Sequence, residues 1–320
     1  MNFITKLQPV IILLAALSGL LIGATTSFGN YSINFVQPFL MLLLLIVFLT
    51  VDLKTIKEAF SNYKFTIASL LVNFIWTPIF AIILGTVFLS DSVDMQVGFL
   101  MLMVTPCTDW YLIFTDLAKG NVALATSVLP LNLIIQVVLL PIYLILFFGN
   151  NIRIVGTEIL SSIFFVLVVP LILAQVLNIF MTKKVQVKSV IDKMLNNSDT
   201  LQLLFLCLAI VSMFSSESNE IMDNPFLLLQ MLLPIASFFI VNFLLVNFIA
   251  KKLHFTFYDT VPLIMTTLAR NSPLSLAIAV SAFPERPIIA LVLVLGPLIE
   301  LPVLGIVSIL LNRMKRVQIK

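Results

Sequence analysis

A short polar segment, TPCTDWY (residues 105–111), interrupts a run that is otherwise as apolar as a membrane-spanning helix. It places Pro106, Cys107, Thr108 and Asp109 side by side. A carboxylate at the centre of a membrane helix costs about 2.5–3.5 kcal/mol on insertion scales, so it usually faces a cavity or a partner. Proline removes a backbone hydrogen bond, and a thiol is a soft ligand for a thiophilic metal or metalloid. The segment therefore predicts a broken helix with a binding site, although Cys107 as a small packed hydrophobe is the alternative.

A second polar interruption, ARNSP (residues 269–273), contains Asn271, Ser272 and Pro273 within another apolar run. A proline and small polar residues at mid-membrane depth leave backbone groups without helical partners, and such groups need a protein-lined or watery site. Interrupted spans at corresponding places in a chain indicate the midplane site of a secondary transporter. We therefore expect a substrate site at the two interruptions.

Three charged residues are predicted to lie deep in the bilayer: Arg270, Asp109 and Glu300. One interpretation is structural, with Arg270 in a salt bridge to Asp109 or to Glu300 that offsets the cost of burial. The other is functional, because two acids around one arginine leave one carboxylate to gain and lose a proton. We expect Asp109 to balance Arg270 and Glu300 to exchange the proton, and the reverse assignment of the two acids stays open.

Two amide side chains, Asn132 and Gln136, are four residues apart and share one helix face. Amides in membrane helices most often bond to neighbouring helices. If this face points to the first interruption, the amides would instead bind the hydroxyl groups of a substrate.

The composition places the chain in a membrane. Of its 320 residues 61% are hydrophobic and 10% are charged, and the mean hydropathy is +1.16, which excludes a water-soluble domain of this length. Ten stretches approach the length of about 20 residues that crosses roughly 30 Å of hydrocarbon. They are 8–28, 34–51, 64–90, 95–118, 121–149, 154–181, 199–216, 226–250, 256–283 and 287–312. The sequence thus predicts an all-α membrane protein with ten transmembrane helices.

The basic residues predict the orientation of these spans. Of the 18 Lys and Arg residues, Arg270 lies within a span, Arg153 and Arg286 lie on one side, and the others lie on the opposite side. Basic residues mark the cytoplasmic side, so both termini are predicted to face the cytoplasm from the plasma membrane. These lysines explain the net charge of +3, and no nucleic acid partner is expected beside the lipid bilayer.

We expect a single transmembrane domain over residues 1–320, made of two halves, 1–150 and 151–320, with five spans each. Because five is odd, the halves enter the membrane from opposite sides, and any repeat between them is inverted. Each half has its interruption in its fourth span, and the fifth spans of both halves carry paired prolines with polar residues between them.

Two segments, TPCTDWYLIFTDLAKGN and LARNSPLSLAIAVSAFPERPIIALVLVLGPLIELPVL, resemble the bile acid/sodium symporter superfamily and, within it, the arsenite efflux permeases of arsenical resistance. The similarity covers the ten-span length, and its specific parts are Pro-Cys-Thr at 106–108, Arg-Asn at 270–271 and Gly-x-x-x-Glu-x-Pro at 296–302. It implies two crossed discontinuous helices in a core of spans three to five and eight to ten, beside a panel of spans one, two, six and seven. It also implies that Cys107 and Glu300 are needed for transport.

The chain departs from the family pattern at two places. Thr266 and Arg270 stand where sodium-coupled members have a glutamate and a glutamine, although Asn271 and Ser272 match their Asn-Ser pair. A fixed guanidinium repels Na+, so we expect H+ rather than Na+ as the coupling ion. Asp109 stands where the arsenite permeases have a small apolar residue, which marks a distinct subgroup.

Together these features predict a secondary transporter that exports trivalent arsenite, with antimonite as a second candidate, by alternating access and proton antiport. The predicted substrate-binding residues are Cys107, Thr108, Asn132, Gln136, Asn271 and Ser272. One alternative is a sodium-coupled symporter of an organic anion that pairs with Arg270, and another is a metalloid sensor or membrane interaction protein that does not transport. The chain has one histidine and no HExxH, GxSxG or nucleotide-binding loop, so no enzyme, resident metal or cofactor is expected.

Overall fold

The computed structural model describes residues 3–50, 62–108, 110–149, 168–183, 197–223 and 226–318. Asp109, one of the predicted site residues, lies outside the described residues, as does the first part of the predicted sixth span. Within the described ranges the regular elements are helices. In chain order they are α1 (Phe3–Thr25), α2 (Gly29–Thr50), α3 (Tyr63–Leu71), a π-helix (Val72–Trp76), α4 (Thr77–Phe88), α5 (Val93–Met103), α6 (Trp110–Leu117), α7 (Val122–Phe148), α8 (Val169–Lys183), α9 (Ser198–Ser216), α10 (Ser218–Asp223), α11 (Phe226–Lys252), α12 (Phe257–Leu268), α13 (Ser272–Ala282) and α14 (Pro287–Gln318).

Several of these helices are long and apolar enough to cross a membrane. In the described part of the chain there are five: Gly29–Leu49, Tyr63–Phe88, Val122–Phe148, Leu229–Lys252 and Pro287–Met314. Shorter apolar helices are Val10–Thr25, Val93–Met103, Thr200–Ser216 and Ser272–Ala282. The prediction of an all-helical, multi-pass membrane protein therefore agrees with the structure, and the number of ten spans stays a prediction.

The chain forms two compact units, each assembled from separate stretches of sequence. The first unit consists of Met1–Asp52, Ile154–Leu227 and Pro273–Val294. In it α9 packs against α1 and α2, and α8 packs against α2. A Cβ atom added at Gly19 would come within 2.7 Å of the Val211 carbonyl oxygen, so glycine allows α1 and α9 to approach this closely.

The second unit consists of Leu53–Arg153, Leu228–Ser272 and Leu295–Lys320. In it α12 contacts α3, α6 and α7, and α5 packs against α4. The last two turns of α12, residues 261–268, are buried on every side, as are residues 97–103 of α5. A helix that is apolar and buried all round lies inside its unit. The ends of α5 and α12 are therefore interior features of the second unit.

Side-chain caps fix where three helices of the second unit begin. Ser92 accepts a hydrogen bond from the Met95 amide at the start of α5, and Asn121 accepts one from the Leu124 amide at the start of α7. Thr256 does the same for α12 through the Asp259 amide. Such caps satisfy amide groups that the first turn leaves without partners and contribute about 1 kcal/mol each.

The π-helix between α3 and α4 is a feature that the sequence analysis did not anticipate, because residues 64–90 were predicted to form one regular span. Pro78 follows the π-helix and has no amide hydrogen, so it cannot bond to the Phe74 carbonyl as a helical residue would. That carbonyl instead accepts a hydrogen bond from the Tyr143 hydroxyl at 2.6 Å. Single π-turns of this kind are frequent at functional sites.

Candidate functional site

The two interruptions meet in the second unit and pair backbone to backbone. Helix α5 ends at Met103 and α12 ends at Leu268, and an antiparallel bridge joins Pro106 to Arg270 between them. The Cys107 amide donates to the Ala269 carbonyl at 3.0 Å, and the Asn271 amide donates to the Thr105 carbonyl at 2.7 Å. Some of the backbone groups that the broken helices release are thus satisfied by pairing between the two interruptions, as an apolar environment requires.

The position of Pro273 differs from the prediction. The second interruption was expected to extend over residues 269–273, but Ser272 and Pro273 already belong to the first turn of α13. Proline is tolerated in a first turn because amide groups there have no helical acceptor. Pro106, by contrast, lies in the segment between α5 and α6.

The side chain of Arg270 binds the ends of both broken helices. It is 1% exposed. Its Nη1 donates to the Met103 carbonyl at 2.7 Å, and its Nε donates to the Leu268 carbonyl at 3.2 Å. Nη2 donates to the Thr267 carbonyl and to Asn73 Oδ1, the latter at 3.3 Å. Because a helix C-terminus carries about half a negative elementary charge, the guanidinium neutralises two such ends at once.

Glu300, on α14, contacts the place where the two interruptions meet, which we call the crossing. It is buried, and its Oε1 accepts a hydrogen bond from the main-chain amide of Arg270 at 2.8 Å. The contact that the structure shows between these residues is thus made by the backbone of Arg270, whereas the predicted salt bridge would use its guanidinium. Gly296 lies one turn earlier, where an added Cβ would come within 2.6 Å of Leu102 Cδ1 and 3.1 Å of Ser272 Oγ. This glycine lets α14 approach the crossing closely.

The predicted polar residues of the two interruptions are buried together. Cys107 is 3% exposed and Thr108 is 1% exposed. The Asn271 amide nitrogen donates to Thr108 Oγ1 at 3.4 Å, so side chains as well as backbones join the two segments. Ser272 is 2% exposed at the start of α13. The thiol of Cys107 therefore lies at the crossing rather than on a lipid-facing surface.

The two amides on α7 are buried, and Asn132 contacts α12. Both Asn132 and Gln136 are fully buried. Asn132 Nδ2 donates to Thr266 Oγ1 at 3.1 Å. Within the described residues, Asn132 Oδ1 and both amide atoms of Gln136 have no hydrogen-bond partner. A buried polar group without a hydrogen-bond partner lowers the stability by about 1–3 kcal/mol. Three such atoms on one helix face therefore indicate that a ligand or water binds there.

Asn73 contacts Arg270, although the sequence analysis did not identify it as a candidate site residue. It lies in the π-helix and is fully buried. Its Oδ1 accepts from Arg270, and its Nδ2 donates to the Thr266 carbonyl at 3.4 Å. The sequence does contain one indication of this role. Pro78 lies five residues after Asn73 and predicts a local break in the helix that carries Asn73.

An aromatic cluster supports the guanidinium from the side of α11. The Arg270 guanidinium carbon lies 4.9 Å from the centre of the Phe238 ring, which is a cation–π distance. Phe238 stacks with Phe80 at 6.3 Å, and Phe80 stacks with Trp76 at 5.2 Å. The Trp76 indole donates to Asn242 Oδ1 at 2.7 Å. The cluster ties the π-helix and α11 to the crossing.

Chemically, the described residues of the site offer one thiol, one carboxylate and amide groups that can bind hydroxyls. Among the residues that the structure describes, no group of three or more His, Cys, Asp or Glu side chains is placed to hold a metal ion. The guanidinium donates to oxygens of the protein itself. A polytopic helical protein in which two interrupted helices meet at a buried polar site has the organisation of a secondary transporter.

Comparison with known proteins agrees with this class. The chain belongs to the Sodium Bile acid symporter family, which it matches over residues 37–224. It is 24% identical over 325 residues to the Arsenical-resistance protein Acr3 of Corynebacterium glutamicum, covering 95% of this chain and 87% of that protein. It is also 23% identical over 269 residues to the Arsenical-resistance protein Acr3 of Alkaliphilus metalliredigens, covering 80% of this chain and 75% of that protein.

Proposed function

We propose that the protein is a secondary transporter that exports trivalent arsenite, with antimonite as a second candidate, by alternating access in exchange for protons. The two similar proteins are both named for arsenical resistance and align with most of the chain. Membership of a symporter family supports transport rather than catalysis or sensing.

The observation that carries the substrate assignment is the set of amide atoms on α7 that have no hydrogen-bond partner among the described residues. Asn132 Oδ1 and Gln136 Oε1 are acceptors, and Gln136 Nε2 is a donor. At neutral pH arsenite is an uncharged trihydroxide, whose O–H groups both donate and accept hydrogen bonds. Cys107, at the crossing, adds a soft thiol that suits a trivalent metalloid. Thr108, Asn271 and Ser272 complete the proposed site.

The surroundings of Arg270 argue against an organic anion as the substrate. An anion clamp needs guanidinium donors directed at the ligand. Here they bind the Met103, Thr267 and Leu268 carbonyls and the Asn73 amide oxygen. A neutral substrate needs no such clamp, which is why we favour the trihydroxide.

A neutral substrate must be coupled to an ion if it is to be expelled against its gradient. Moving one proton inward supplies about 2.3 kcal/mol per 100 mV of membrane potential. We assign the proton to Glu300, since its carboxylate contacts the backbone of the crossing and would sense its rearrangement. Asp109 is the alternative carrier.

We further propose the architecture that these roles require. The ten spans form one transmembrane domain, its halves 1–150 and 151–320 are related as an inverted repeat, and both termini face the cytoplasm. The basic residues on the proposed cytoplasmic side support this orientation.

Uptake of arsenite into inverted membrane vesicles tests the proposal, because export from the cell corresponds to uptake by such vesicles. We expect uptake when the vesicle interior is more acidic than the medium, and no change when choline replaces Na+. Uptake that strictly requires Na+ would instead indicate a sodium-coupled carrier. Absence of uptake with specific arsenite binding would indicate a sensor.

A further inference from the structure

Four oxygens surround the Arg270 guanidinium and accept hydrogen bonds from it. Three are main-chain carbonyls at the C-terminal ends of α5 and α12, those of Met103, Thr267 and Leu268. The fourth is Asn73 Oδ1, presented by the π-helix. A carboxylate oxygen of Glu300 lies against the main-chain amide of the same arginine. Carbonyl oxygens at the ends of half-helices are groups that bind Na+ in membrane transporters.

We propose that Arg270 is a tethered cation: its guanidinium permanently fills a monovalent-cation site at the crossing of the two broken helices, and its removal opens that site to Na+ from solution. The charge is needed because two helix C-termini and a buried carboxylate leave the crossing negative. Burying the guanidinium is tolerated because each of its three nitrogens donates to an oxygen.

A tethered cation would make Na+ unnecessary at this site, whatever the substrate is. A bound ion would have to displace the guanidinium from at least four oxygens, and the covalent link keeps the effective concentration of the guanidinium high. The inference rests on the proposed function only in its consequence for coupling, and the site itself is tested without arsenite.

The test compares thermal unfolding of the purified protein in NaCl and in choline chloride at equal ionic strength. For Arg270→Ala we expect the Tm to rise by several degrees with increasing NaCl, since an ion that binds only the folded state stabilises it. Millimolar guanidinium chloride should have the same effect. The wild type and Arg313→Gln, which removes an exposed arginine on α14, should show equal Tm values in both salts.

An Arg270→Ala protein with equal Tm values in NaCl, choline chloride and guanidinium chloride would overturn the proposal. If that variant yields no folded protein, Arg270→Lys decides, because an ammonium group supplies the charge without the planar shape. A folded Arg270→Lys protein whose Tm is the same in NaCl and in choline chloride supports the tethered cation. Loss of folded protein in Arg270→Lys as well would show that the guanidinium's shape, not its charge, is required.

Discussion

Replacing Gln136 by methionine should stabilise the protein while impairing transport. The side chain is fully buried, and within the described part of the chain neither of its amide atoms has a hydrogen-bond partner. Each unsatisfied group costs about 1–3 kcal/mol, so removing two recovers at least about 2 kcal/mol. Replacing a buried side chain by one of similar volume lowers the free energy of unfolding by less than about 1.5 kcal/mol. We therefore expect a net stabilisation of about 0.5 kcal/mol or more.

The same substitution removes two groups that we assign to the substrate. Two hydrogen bonds to a neutral ligand contribute about 1–3 kcal/mol together, which corresponds to a roughly 5- to 150-fold weaker affinity for arsenite. The assay is thermal unfolding of the purified variant together with the concentration dependence of arsenite uptake in vesicles. Gln96→Met is the matched control. Gln96 Nε2 donates to the Leu89 carbonyl at 3.0 Å, and Gln96 lies near the start of α5, whereas the crossing lies beyond its end.

The control should lose a little stability and keep its arsenite affinity, since it gives up a satisfied hydrogen bond outside the site. A Gln136→Met protein that is less stable than the wild type and transports normally would refute the reasoning. That result would mean that Gln136 is satisfied in the folded protein and contributes to packing rather than to substrate binding.

Three further predictions concern the crossing. Cys107→Ser should abolish arsenite uptake without loss of folded protein, because a hydroxyl lacks the soft donor, whereas Cys207→Ser on α9 should retain uptake in the same vesicle assay. Glu300→Gln should keep the contact to the Arg270 amide, because an amide oxygen also accepts, and should express normally, yet uptake should lose its dependence on an imposed pH gradient. Asn73→Leu should lower the stability by about 1–3 kcal/mol, because it deprives a buried guanidinium nitrogen of an acceptor; unchanged thermal unfolding would show that this contact contributes nothing.

The positions of the helix breaks follow from the local sequence. Pro106 disfavours a helical conformation at Thr105 and so favours the end of α5 at Met103, whereas Pro130 and Pro141 lie inside α7 without ending it. The second break was placed correctly at its start, but Pro273 was misread as part of it. A proline in the first turn of a helix and a proline that ends one look alike in sequence, and only the backbone path distinguishes them.

The partners of the charged residues could not be read from the sequence. Pairing Arg270 with an acid is the simplest hypothesis for buried charges, yet the hydrogen bonds described for its guanidinium go to carbonyls and to the Asn73 amide oxygen. Carbonyls are present at every position and carry no sequence signal, so their use depends on where two helices end in space. Asp109 lies outside the described residues, and its role as a counter-charge stays a prediction.

The burial of the α7 amides illustrates the same limit. The spacing of Asn132 and Gln136 predicted one shared face, but both helix packing and substrate binding were compatible with it. The structure adds that Asn132 bonds Thr266 with its nitrogen and leaves its oxygen unpartnered among the described residues. Which atoms of Asn132 find a partner depends on the axial position of α12 relative to α7, and no local sequence pattern specifies that position.

The most direct test of the central claim is arsenite uptake by the purified protein in proteoliposomes with an imposed pH gradient and no Na+. We expect uptake into vesicles whose interior is acidic, collapse of that uptake by a protonophore, and no uptake in Cys107→Ser. Uptake that requires Na+ and does not depend on the pH gradient would contradict proton coupling. Full uptake by Cys107→Ser would contradict binding of arsenite by the thiol.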